Sequence, residues 1–166
     1  MAKGLHWSPE LPAFQNARDI LPGLVRRFFR AARKAAESES PRNLHRLRLE
    51  AKRLRYTLEL FESLYGPKLQ QRLSQLRKLQ GYLGDISDIA TTTAMFDNGA
   101  DRRRIEVARL QDYLRSRLAD RLAAFRRYWK TVMDAPGERE RWMAYVARFA
   151  RPERSSTASP NKSKSA

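Results

Sequence analysis

Cysteine is absent from the 166 residues, and histidine occurs only twice. The first absence excludes disulfides, cysteine-based zinc sites and thiol catalysis, and it fits a reducing cytoplasm. With so little histidine a metal centre would need clustered carboxylates. Neither a Glu-x-x-His pair nor a clustered Asp set is present, so no metal and no cofactor are expected. There is no GxxxxGK[ST] phosphate loop. No apolar run approaches the ~20 residues that cross a bilayer, and the first residues lack the apolar core of a signal peptide, so no membrane partner is expected. Alternating strand patterns and internal repeats are missing too, which makes this an all-α chain. Acid is also scarce: 18 Asp and Glu stand against 34 Lys and Arg, a net charge of +16.

A charge of that size raises the local concentration of anionic partners and speeds their capture. Nucleic acid, inorganic polyphosphate, an anionic surface and an acidic protein all qualify. The excess is spread along the chain. Arg26 to Lys34 holds five basic residues and no acid, Lys68 to Lys78 holds four and no acid, and Arg42 to Tyr56 holds six against a single Glu. Arginine dominates, and its fork suits bidentate contact with phosphate.

Residues 1–16 read as a flexible, proline-containing leader, 17–150 as a helical bundle and 151–166 as a disordered Ser/Lys-rich tail. A first helix is predicted from about Pro22 to Ala36, with Asp19 as its cap and Ile20, Leu24, Phe28 and Ala31 or Ala32 on its apolar side. A second follows Ser38–Pro41 and stops at Tyr65-Gly66-Pro67. A third, from about Pro67, buries Leu69, Leu73, Leu76 and Leu83. It ends or kinks at Gly84-Asp85, where Asp85, Ser87 or Asp88 caps a continuation through Phe96. Asp97-Asn98-Gly99 reads as a turn. A long helix over Asp101–Met133 carries Ile105, Leu110 or Ala108, Leu114, Leu118, Leu122, Phe125 and Trp129 on its stripe. A short one over Glu138–Ala150 carries Trp142, Tyr145, Val146 and Phe149. Wide apolar stripes on four or five helices fit a four-helix bundle with a short extra carboxy-terminal helix.

The second helix holds the densest chemistry. Leu44, Leu47, Ala51, Leu54, Leu58 and Phe61 form its core stripe. His45, Arg48, Lys52 and Arg55 follow at steps of three, four and three and form a second stripe beside it. Like charges one turn apart repel by a few tenths of a kcal/mol, roughly, so such a row makes most sense if a polyanion neutralises it. His45 has no carboxylate three or four residues away to orient its ring. That favours a hydrogen-bond donor to phosphate, or a tautomer-fixed spacer, over a nucleophile. His6 is assigned no role. Asp85 and Asp88 read as capping residues and as ion-pair partners of the basic helices.

Two stretches carry a family resemblance: His45-x-Leu47-Arg48-Leu49-x-x-Lys52-Arg53-Leu54-Arg55, and Leu79-Gln80-x-x-Leu83-Gly84-x-x-x-Asp88 one helix later. Together they resemble the conserved histidine α-helical domain (CHAD) family. Leu49 stands where that family has Val, and Lys52 where it has the first of two paired arginines. The family is similar to two four-helix repeats about a pseudo-two-fold, with a basic central channel that binds inorganic polyphosphate and performs no turnover. The resemblance therefore implies a non-enzymatic polyphosphate binder of the cytoplasm, associated with polyphosphate granules. His45, Arg48, Lys52, Arg53 and Arg55 would face the ligand. Arg72, Arg77 and Lys78, with Arg26 and Arg30, would support it through helix charge. The motif occurs once here, where a complete domain would show it twice. The chain thus resembles a half-domain and is expected to form a homodimer. Two rivals stand beside this reading. One is a nucleoid-type nucleic-acid binder. The other is the regulatory subunit of a phosphate-handling enzyme, which the lack of clustered metal-binding carboxylates disfavours.

Overall fold

The computed structural model describes residues 7–97 and 105–148, and every regular element among them is helical. Helices run over Ala13–Glu37 (α1), Pro41–Leu60 (α2), Glu62–Tyr65 (α3), Lys68–Asp97 (α4), Ile105–Tyr128 (α5) and Glu138–Arg148 (α6). A π-helical turn over Trp129–Met133 follows α5 directly. His6, the Asp97-Asn98-Gly99 turn beyond Asp97, the Phe149 position and the 151–166 tail lie outside the described residues, as do the side chains of Ile105 and Glu106.

The first helix begins at Ala13, ahead of the predicted start, and Pro22 lies inside it. An internal proline removes one backbone hydrogen bond and costs roughly 3 kcal/mol. Burial on both sides of it offsets that cost: Ala17 and Leu21 before, Leu24, Val25 and Phe28 after. Buried Asn16 fixes the entry. The Ser8 N–H donates to its Oδ1 at 2.9 Å, and its Nδ2 donates to the Ser8 and Leu11 carbonyls at 3.0 Å each. Trp7 stacks on Phe61 with ring centroids 6.1 Å apart. Residues 7–12 are therefore tied to the bundle.

At the start of α2, Ser40 Oγ accepts from the Asn43 N–H at 3.3 Å and Pro41 occupies the first turn. All six residues of the predicted core stripe are buried. The helix breaks at Phe61, earlier than predicted, and the single turn of α3 carries the chain to Gly66, whose φ of 70° suits a residue without Cβ. The third predicted helix shows no break at Gly84. α4 runs unbroken through Gly81 and Gly84, so Asp85 and Asp88 sit mid-helix rather than as caps. Asp85 instead pairs with Arg121 of α5 at 3.3 Å. On α5, Leu114 and Phe125 are buried and Leu118 and Leu122 half-buried, but Ala108 and Leu110 are exposed.

Helices α1, α2, α4 and α5 pack as successive neighbours, and α6 packs on α1. Aromatic rings close the base. Trp129 lies 6.1 Å from Phe28 and 5.6 Å from Phe29, and Trp142 lies 6.4 Å from Phe29. Two buried tyrosines staple α6 to α3: the Tyr65 hydroxyl donates to the Val146 carbonyl at 2.7 Å, and the Tyr145 hydroxyl to the Tyr65 carbonyl at 3.4 Å. With 30 residues against 20, α4 is some 15 Å longer than α2, roughly, at 1.5 Å per residue. Where α1 and α2 run out, a groove opens.

Candidate functional site

The groove lies between the start of α2, the second half of α4 and the middle of α5, with a cavity volume of about 560 Å³. Leu44, Leu83, Ile86 and Ala90 make its floor, and Leu118 and Leu122 its far wall. His45 and Arg48 stand on its near edge. Glu39 also reaches it, but the Arg126 guanidinium of α5 holds that carboxylate at 2.9 Å. The Thr91 hydroxyl is turned away from a ligand, donating to the Ser87 carbonyl at 2.9 Å. The lining is therefore apolar with one basic edge, rather than basic throughout.

The α2 row continues from that edge. His45 is exposed, and Arg48, Lys52 and Arg55 are half-buried. His45, Arg48 and Lys52 have no ion-pair partner among the described residues. Arg55 has one: its guanidinium meets Glu59 at 3.3 Å and lies over the Tyr56 ring at 4.5 Å. Glu59 also accepts from Arg77 of α4 at 3.1 Å. One carboxylate thus draws Arg55 and Arg77 together at the foot of the row. Lys78 lies nearby on α4, its ammonium 5.3 Å from the Tyr128 ring centre.

The other predicted residues lie elsewhere. Arg53 comes one residue after Lys52, about 100° further round the helix. It lies toward α1, where Glu50, on α2 itself, meets Arg53 at 4.0 Å and Arg27 of α1 at 3.2 Å. Arg72 is a structural clamp. Its guanidinium lies 4.5 Å over Trp142 and 4.8 Å over Tyr145 and meets Glu138 at 3.2 Å. Burial lowers its pKa from the ordinary arginine value, and the Glu138 carboxylate opposes that shift. Arg26 and Arg30 line a separate cavity between α1 and α6. Glu59, Glu39 and the α5 wall are the site residues that sequence reasoning missed. The i,i+4 spacing of Arg55 and Glu59 was a readable signal for the first. The other two depend on how α5 packs.

A family model, the CHAD domain, matches residues 1–97. The chain belongs to the CHAD domain family. No curated protein and no solved structure matches it. The CHAD match ends with α4, so it holds the basic row and the groove floor, while α5 supplies the opposite wall from outside it. Among the described residues of this CHAD chain, no group of three or more His, Cys, Asp or Glu side chains could hold a metal ion. No helix there is long and apolar enough to cross a membrane.

Proposed function

We propose that this CHAD chain binds inorganic polyphosphate along the α2 edge of the groove, in the cytoplasm and without catalysis. The observation that supports it best is the partnering of the cations. Arg53 and Arg72 are ion-paired, whereas His45, Arg48 and Lys52 stand in one row with no ion-pair partner among the described residues. Members of the row are about one turn apart, roughly 5.4 Å, so neighbouring side chains can reach successive phosphoryl groups of a linear anion. Charge-assisted hydrogen bonds of this kind contribute about 1.5–3 kcal/mol each. Arg55, Arg77 and Lys78 extend the row once the ligand competes with Glu59. The same reading makes the chain a homodimer about a two-fold, with two α2 rows facing one cavity. Two such rows repel, so bound polyanion should tighten the dimer.

Size-defined polyphosphate titrated beside duplex DNA of equal charge tests the function. Polyphosphate should bind more tightly, with affinity falling steeply as salt rises, by a log–log slope of about −0.7 per neutralised phosphate if the chain behaves as a single-stranded polyanion. Tighter binding of DNA would favour a nucleoid-type role. Release of orthophosphate on adding a divalent metal would favour an enzyme. Sedimentation with and without polyphosphate tests the dimer, and a monomer under both conditions would show that the half-domain works alone.

A further inference from the structure

A second basic surface lies apart from the groove. Arg26, Arg30, Arg33 and Lys34 of α1 meet Arg139 from the first turn of α6 around a cavity of about 260 Å³. No residue lines both this cavity and the α2 groove. Five cations here share a single carboxylate, Glu37. None of the five has an ion-pair partner among the described residues, while nearby acids are engaged elsewhere: Glu50 with Arg27 and Arg53, Glu138 with Arg72 and Arg141. Arg26, Arg30 and Lys34 follow at steps of four, which maximises their mutual repulsion on the helix. The wall behind them is stiff. Phe29 is 3% exposed and is held by Trp129 and Trp142, so packing of α6 on α1 sets the width of the cavity.

We propose that this cavity is a second anion site that takes a short linear oligophosphate of tripolyphosphate size. The space is below the roughly 300–1,000 Å³ of pockets that enclose drug-sized ligands, which suits a small, highly charged group. Arginine forks from two helices converge on it, a geometry for bidentate phosphate contact. Arg30 and Lys34 also line the adjoining notch with Arg27, Arg46 and Glu50, so a longer chain has a basic path away from the cavity.

The test is calorimetric titration with tripolyphosphate, read in parallel by tryptophan fluorescence, since Trp129 and Trp142 lie directly behind Phe29. The Arg30→Gln/Arg139→Gln variant should weaken one class of site at least tenfold and suppress the fluorescence change. The Arg48→Gln/Lys52→Gln variant should leave that class intact. All four side chains lie on the surface or at the groove edge, so helicity should hold in both. Unchanged binding in Arg30→Gln/Arg139→Gln would overturn the inference, and so would duplex DNA displacing tripolyphosphate equally well, charge for charge. The inference survives if only the groove variant is silent, so its failure and that of the groove reading are separable.

Discussion

Arginines at two places in this molecule meet opposite surroundings. Between α4 and α6, Arg72 has a carboxylate at 3.2 Å and an aromatic ring on each of two neighbours. On the α2 edge, Arg48 has open groove and apolar floor. The two are equally cationic and both sit on helices rich in Arg and Lys. What separates them is whether the tertiary fold supplies a local partner. Arg72, held by a carboxylate and two buried rings, braces the fold, whereas Arg48 has no ion-pair partner among the described residues. Charge in a sequence marks both kinds alike.

The largest effect should come from stripping the clamp. Trp142 is fully buried against Phe29 and Arg72, and Trp142→Ala should cost about 3–5 kcal/mol of stability, measured by urea denaturation. The companion Arg72→Ala should also lower stability and leave polyphosphate affinity as it was, because Glu138 keeps Arg141 at 2.7 Å. A loss of affinity with stability intact would erase the distinction between the two regions. Next in size, Arg48→Ala or Arg55→Ala should weaken polyphosphate binding by at least about 1.5 kcal/mol, more than tenfold, with helicity unchanged by circular dichroism. A double variant with native affinity would remove the α2 row from the site.

Alkali probes the packed side alone. Burial pushes the Tyr128 hydroxyl up to about 12 from 10.0, and raises Tyr65 as well. Folding thus holds these phenol protons more tightly than the unfolded chain does. The stability this contributes is present below pH 10 and is lost as the pH climbs toward 12. Denaturation midpoints should fall over that window, and Tyr128→Phe should flatten part of the fall. The smallest effect concerns Gly84, where an added Cβ meets nothing within 4 Å. Gly84→Ala should stabilise α4 by roughly 0.5–1 kcal/mol without altering binding. Weaker binding would mean that phosphate approaches the backbone there.

The α2 stripe was legible because every residue from Leu44 to Phe61 that the helical period assigns to the core is buried. The same helical period sets His45, Arg48, Lys52 and Arg55 on an adjoining face, exposed at His45 and half-buried beyond it. Arg72 was misplaced because its partners lie on α6, far along the chain, and no local spacing announces them. Arg53 entered the site through the family motif alone, and the structure sets it one step round the helix from the row, beside Glu50. Pro22 and Gly84 looked like boundaries by local preference, and burial along α1 and α4 overrides it. The apolar lining of the groove depends on where α5 lies, which periodicity alone does not give.

The tyrosine staple between α3 and α6 joins phenol hydroxyls to backbone carbonyls some 80 residues away. During synthesis the CHAD-matched portion is translated before Trp142 and Tyr145 exist as polypeptide. Until then Phe29 and the aliphatic stem of Arg72 face water on an unfinished surface. Contacts so distant in sequence form late, after their loop-closure entropy has been met. Among the described helices α6 is the last to be translated, and it is the one that seals the base, so a ribosome stalled ahead of it would present a sticky, positively charged intermediate.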